Sequence, residues 1–360
     1  MRLRWASVVA LAVIARPAGG QVNRAALVAR IDSAVIAEMK RTQTPGLSVA
    51  VEHRGEVLLA KGYGLANVEH GAPATAETIY QIASITKQFT ATAILQLVEQ
   101  GKIALTDEIT RVLPDYPTRG HRITIEQLLT HTSGIKDYTN LGERFWVRSS
   151  RLDLSPEQMI ALFKDEPSDF PPGAKYRYSN SGYFLLGAIV AKVSGLSFAS
   201  YLEQRIFQPL GMRSTAICDD RAIVPGRAAG YALASGRLIN APPISINVVG
   251  GAGGLCSTVL DLLTWQRALD GARLVAPTLR DRMRTAAKLD DGQATEYGYG
   301  LNIGTFDGHP LIAHGGGING FMSWLGRYPD DELTVAVLTN TGSVYAKDIA
   351  RVITRISLGM

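Results

Sequence analysis

The chain has 360 residues and a formal net charge of +5, with 46% hydrophobic and 19% charged residues. This balance excludes a disordered polyelectrolyte and fits one large globular domain or two intimate ones. No basic run interleaves with aromatics, so nucleic-acid binding has no support.

At the N-terminus, Arg2 and Arg4 precede a short apolar run from Trp5 to Ala15, and Ala18-Gly19-Gly20 offers small residues for cleavage before Gln21. The pattern predicts a secretory signal over residues 1–20, with a buried first helix as the alternative. Losing its three arginines, Arg2, Arg4 and Arg16, takes the formal charge from +5 to +2. The run is too short to span a bilayer comfortably, and no later stretch is long and apolar enough. A secreted or periplasmic protein without stable membrane insertion is expected.

Ala26 to Lys40 predicts an amphipathic helix, and Gly46–Val51 and Glu56–Lys61 predict two strands around an Arg54-Gly55 turn. Ser84 to Gln100 predicts a helix that is apolar nearly all round, hence buried, and stopped by Gly101. Thr124-Ile125-Glu126-Gln127 matches a capping box. Further helices are expected over Ser181–Val193, closed by Gly195, over Phe198–Ile206, ended before Pro209, and over Val259–Leu269. The last of these follows Gly250-Gly251-Ala252-Gly253-Gly254, which lacks the lysine of a phosphate loop and reads as a tight backbone approach. A hairpin over Phe321–Tyr328 and Leu333–Asn340 and a helix over Val344–Ile356 complete the chain. Strands at both ends with helices between predict an α+β fold whose sheet is built from both termini.

Three motifs carry chemistry. In Ser84-Ile85-Thr86-Lys87, the lysine falls in the first turn of a buried helix, where the helix dipole and desolvation both oppose its charge. Ser84 stands one turn earlier on the same face, as a serine activated without histidine requires. The plain alternative has Ser84 capping the helix and Lys87 reaching to water. A second copy, Ser133-Gly134-Ile135-Lys136, falls in an expected loop. Tyr178-Ser179-Asn180 offers a phenol that relays protons if a cation lowers its pKa, and an amide able to donate and accept. Packing and capping are the alternative roles, and Tyr138-Thr139-Asn140 is again a second copy. His314-Gly315-Gly316-Gly317 offers backbone N–H groups to an oxyanion, or else is a turn with a surface histidine.

Cys218 and Cys256 are the only cysteines; a disulfide is allowed in an exported protein, and two unpaired buried thiols fit equally. No Cys/His cluster has zinc spacing, so neither metal nor cofactor is inferred. The chain also lacks the Gly-x-Ser-x-Gly elbow of an α/β-hydrolase.

In chain order, Ser-x-x-Lys, Tyr-x-Asn and His-x-Gly resemble the serine beta-lactamase and D-alanyl-D-alanine carboxypeptidase superfamily, in its class C-like branch. Leu128–Ile135, Pro172-Gly173, Tyr176–Tyr183 and Pro209-Leu210-Gly211-Met212 extend the resemblance over most of the chain. It implies an antiparallel sheet flanked by helices, residues 22–80 and 250–360, with an inserted all-helical domain, residues 81–249. Ser84 would be the acylated nucleophile and Lys87 would help deprotonate it. Tyr178 would pass the proton to the leaving group. Asn180, His314, Gly315, Gly316 and Gly317 would hold the substrate, and the N–H groups of Ser84 and Gly317 would form the oxyanion hole. His314 stands where many relatives carry lysine. A histidine titrates near ~6.5, so its protonation would bind a substrate carboxylate, more weakly than lysine does. Efficient antibiotic hydrolysis is therefore not implied. The expected activity is an exported serine hydrolase acting on D-amino-acid peptides, small esters or, weakly, beta-lactams. The alternative is a penicillin-binding or sensor-like module that acylates with little turnover. The partner is a small molecule or short peptide, and the oligomeric state is left open.

Overall fold

The computed structural model describes residues 24–271 and 273–360, so the leader expected over residues 1–20 lies outside the described residues. Seven strands form one antiparallel sheet: β1 (Gly46–His53), β2 (Glu56–Asn67), β3 (Ala72–Pro73), β4 (Asn302–Phe306), β5 (His309–Ile318), β6 (Phe321–Tyr328) and β7 (Leu333–Thr339). Their order is β3-β2-β1-β7-β6-β5-β4, so the first and last strands pair at the centre and both ends of the chain build one sheet. The β1–β2 turn falls at Arg54-Gly55, where φ is 53° and 78°, the two positive values that a two-residue type I′ hairpin needs.

Five helices frame the sheet and the site: α1 (Arg24–Thr42), α2 (Thr86–Glu99), α3 (Asn180–Ser194), α4 (Val259–Asp270) and α5 (Ala346–Leu358). The two-residue period of the central strands splits their side chains between two cores. Leu47, Val49, Val51, Val335 and Val337 pack with Leu27, Ile31 and Val35 of α1 and Ile349 and Ile353 of α5. Each such aliphatic chain stabilises the fold by about 1.5–3 kcal/mol when fully buried. Ala50 and Ala336 point the other way and stand opposite each other in the β1–β7 register. Two methyl groups, rather than two bulky chains, thus meet the helical body, and α4 lies against both strands. The α+β fold class read from the sequence is the observed one.

Within the helical body, Thr124 Oγ1 accepts from the Gln127 N–H and Gln127 Oε1 accepts from the Thr124 N–H, completing the expected capping box. One boundary differs from expectation. The helix beginning at Phe198 does not end before Pro209 but continues to Leu210, with a π-turn over Glu203–Phe207. The widened turn suits a proline, which has no N–H to give and whose ring crowds a regular helix.

The glycine-rich loop is a tight backbone approach, as its sequence implies. A Cβ on Gly251 would stand 2.7 Å from the Tyr183 carbonyl oxygen and 3.1 Å from Gly187 Cα on α3. Cys218 and Cys256 form a disulfide with their Cα atoms 5.2 Å apart. It ties the residue after the short strand Ala216–Ile217 to the strand Leu255–Ser257; the latter pairs on one side with Ala216–Ile217 and on the other with Tyr80–Gln81, just ahead of Ser84.

Candidate active site

Ser84 lies in a 3₁₀ turn, Ala83–Ile85, that leads into α2 and packs on β5 and β6. Ala83 has φ 47°, a left-handed value that costs an alanine energy and puts a sharp corner before Ser84. Ser323 Oγ donates to the Ile82 carbonyl at 2.7 Å and pins this corner to β6. Ser84 does not cap α2, whose N-cap is Ile85. Lys87 does not reach water either, being 0% exposed. Both plain alternatives for the pair are thereby removed.

Lys87 Nζ has three oxygen neighbours: Ser84 Oγ at 3.2 Å, Asn180 Oδ1 at 2.9 Å and the Ala252 carbonyl at 2.6 Å. It also lies over the Tyr178 ring, 4.7 Å from the centroid. Burial drives its pKa from 10.5 down to about 7, against an opposing pull from the Asp137 charge. The amine therefore changes charge near neutrality instead of holding a proton throughout.

Burial pushes the Tyr178 phenol above the ordinary range, against a lowering pull from the nearby Ser84 hydroxyl. The sequence expectation of a cation-lowered phenol is not met; Tyr178 is a hydroxyl that can donate. Asn180 opens α3 behind the Ser179 cap and holds Lys87 through Oδ1, while its N–H and Nδ2 donate to Asp137 Oδ2, both at 3.1 Å.

The third motif is arranged differently from expectation. His314 is 3% exposed, and burial together with the nearby Lys87 lowers its pKa to about 3. Its Nδ1 lies 2.6 Å from the Gly315 carbonyl, which can only accept, so Nδ1 carries the proton. Nε2 then accepts from the Tyr297 hydroxyl at 2.8 Å. His314 is thus held neutral by burial with both ring nitrogens engaged, which opposes the expected binding of a carboxylate through its protonation. Gly316 faces the protein's own backbone: a Cβ there would lie 2.3 Å from the Ile82 carbonyl oxygen and 2.2 Å from Ser323 Oγ. Gly315 packs against the Trp324 ring. Of the three glycines, Gly317 lines the cleft beside Ser84.

That cleft has a volume of about 80 Å³ and includes Ser84, Asn180, Tyr138, Phe145, Trp146, Ile244 and Val249. No charged side chain is among its described lining residues. A larger polar cavity of about 420 Å³, with Arg122, Glu126, Arg282 and Lys288 on its walls, does not include Ser84.

Three participants escape the sequence reading. Asp137 sits between Lys136 and Tyr138, inside the second copies of the motifs, where nothing marks it as more than a loop residue. Tyr297 has no motif at all. The Ala252 carbonyl had a signal, because a glycine-rich stretch read as close backbone approach is where a main-chain group can enter a site.

Residues 31–356 match the family model described as Beta-lactamase. The D-aminopeptidase of Gluconobacter oxydans (strain 621H) is 30% identical over 316 residues, covering 87% of this chain and 59% of that protein. The chain therefore spans less than two thirds of that relative's length. The octameric penicillin-binding protein homologue from Pyrococcus abyssi is 33% identical with a TM-score of 0.81, over 92% of this chain and 77% of that one. A D-stereospecific amidohydrolase from Streptomyces sp. is 27% identical with a TM-score of 0.78, over 94% of this chain and 99% of that one.

Proposed function

The chain belongs to the Beta-lactamase family, and from that premise we propose that it is a serine hydrolase working through an acyl-enzyme on Ser84. The observation that carries this reading is the hydrogen-bonding of Lys87. A neutral amine has two N–H groups and one lone pair. Asn180 Oδ1 and the Ala252 carbonyl take the two N–H groups, which leaves the lone pair for the Ser84 hydroxyl at 3.2 Å. Ser84 then gives its proton to Lys87 as Oγ attacks the substrate carbonyl. The oxyanion meets the N–H groups of Ser84 and Gly317. The Tyr178 hydroxyl, beside Ser84, gives its proton to the departing nitrogen or oxygen and takes one back from Lys87, whose ammonium lies over its ring, so that the amine is again neutral. Water completes hydrolysis of the ester.

The uncharged, aromatic cleft supports substrates that bring an apolar acyl group and no carboxylate beside the scissile bond. We therefore favour D-aminoacyl amides, short D-amino-acid peptides and small esters over beta-lactams, in keeping with the D-aminopeptidase and amidohydrolase among the relatives. The Cys218–Cys256 disulfide supports an oxidising compartment, and with it export. Turnover of nitrocefin, p-nitrophenyl esters, D-Ala-D-Ala peptides and D-aminoacyl amides by purified protein tests the reading. Esters or D-aminoacyl amides should be hydrolysed, with the intact mass showing an adduct on Ser84. Stoichiometric labelling without turnover would instead mark a penicillin-binding module.

A further inference from the structure

Asp137 is 4% exposed, yet among the described residues no cation pairs with it. Its oxygens are met by three N–H groups. Oδ1 accepts from Thr139 N–H at 2.9 Å, which caps the short 3₁₀ turn Tyr138–Asn140. That cap needs one oxygen, and a serine or asparagine would serve it. The second oxygen does something else, accepting both the N–H and Nδ2 of Asn180 at 3.1 Å.

The side-chain amide of Asn180 has two chemically different ends. With Nδ2 donating to Asp137, Oδ1 faces Lys87 Nζ at 2.9 Å. Turned over, the amide would set its NH₂ against the lysine N–H groups and its oxygen against a carboxylate, two repulsive contacts in place of two hydrogen bonds. A neutral partner at 137 could rotate to suit either orientation; a carboxylate accepts only, and admits one.

We infer that Asp137 is a positioning residue for the proton-accepting lysine, acting through the amide of Asn180 and through its own carboxylate charge. The inference rests on the reading of Lys87 as the base for Ser84. The other titratable groups around Lys87 do not supply that charge. His131 and His314 are held neutral by burial. Tyr178 and Tyr183, whose rings lie beneath Nζ, keep their phenolic protons. Asp137 is the group whose charge raises the lysine pKa against desolvation.

The test is Asp137→Asn, compared with wild type in its kcat and KM on a neutral ester and in the pH profile of kcat/KM. The expected kcat loss is about 10–100-fold, as when a group that orients a reacting residue is lost. KM should hold within about twofold, since Asp137 touches no substrate. The rising acid limb should move to lower pH by about one unit, because removing a negative charge favours the neutral amine. A merely structural role would lower thermal stability without moving this limb. In an Asn180→Ala background the kcat effect of Asp137→Asn should largely vanish. If Asp137→Asn does not fold, Asp137→Ser keeps the cap and removes the charge. Wild-type kcat and an unmoved limb in either folded variant, or an undiminished kcat effect without Asn180, overturns the inference. Failure of wild-type Ser84 to label with a fluorophosphonate would overturn the underlying reading instead.

Discussion

The chain writes the same short text twice. Ser84-x-x-Lys87 and Ser133-x-x-Lys136 share a spacing, and each is followed downstream by Tyr-x-Asn. In the first copy the serine sits at a strained corner and the lysine one helical turn on, 3.2 Å from its hydroxyl and sealed from water. In the second copy there is no helix. Ser133 Oγ accepts from the Ile135 N–H at 3.3 Å, while Lys136 turns away to Asp169 at 3.0 Å. Tyr138 packs with Phe145 and Phe163 in the core. The difference lies in what surrounds the ammonium. Lys136 faces a carboxylate at a partly exposed site, whereas Lys87 has neutral oxygens and aromatic rings around it in a dry one, and burial there lowers its pKa to about 7. Yet the second copy is not idle, because its loop delivers Asp137 to the first.

The largest effect that could break this comparison is loss of the nucleophile. Ser84→Ala should abolish covalent labelling by a fluorophosphonate, while Ser133→Ala should label at a near wild-type level. An adduct located on Ser133 by peptide mass spectrometry would reverse the assignment. Next in size is the lysine pair. Lys87→Met should lower kcat by about 10²–10⁴-fold, the range for losing a general base. Tyr178→Phe should fall in the same range if its hydroxyl carries the second proton transfer, and Tyr138→Phe should not. Lys136→Met should leave kcat within about twofold and cost at most about 1 kcal/mol of stability, as expected for a partly exposed ion pair. Asp169 also keeps its second partner, Arg177 at 2.9 Å. A rate loss in Lys136→Met comparable with that in Lys87→Met would show that the two copies are not separated in function.

Much of the fold was legible because it follows local rules. The β1–β2 hairpin shows in its alternation and its Arg54-Gly55 turn, and the capping box shows in four consecutive letters. The burial of Lys87 was legible too, since an all-round apolar helix has no wet face. What escaped depends on long-range placement. The neutrality of His314 arises from its burial behind β5 and from the nearby Lys87, and its Nε2 is held by Tyr297 from a separate segment. Gly316 accommodates the Ile82 carbonyl, more than 200 residues away in sequence, and not a substrate. Asp137 acquires a role when the loop after Ser133 folds back onto the start of α3. No periodicity or spacing encodes such encounters, which are properties of the assembled cores.

The smallest expected effect is a flat line, and it sharpens the contrast between a buried group that titrates and one that does not. Lys87 and His314 share one dry site, but a pKa of about 7 puts the first inside the working range and a pKa of about 3 puts the second below it. If Lys87 must be neutral to act, kcat/KM should rise with pH through about 7 for every substrate, because this parameter reports the free enzyme. His314 is already neutral throughout that window, so it adds no second limb. The ratio of kcat/KM for a carboxylate-bearing substrate to that for an uncharged ester of similar size should therefore stay constant between about pH 5 and 8, where a solvent-exposed histidine would titrate. Lys87 cannot distort the ratio, since its limb is common to both substrates and cancels. The measurement is the two profiles taken side by side, in wild type and in His314→Gln. A ratio that falls steeply as pH rises, and that becomes flat in His314→Gln, would mean that His314 takes up a proton and meets the substrate directly. A constant ratio in both proteins leaves His314 as the residue that, through Tyr297 and the Gly315 carbonyl, holds the end of β5 in place beside Ser84.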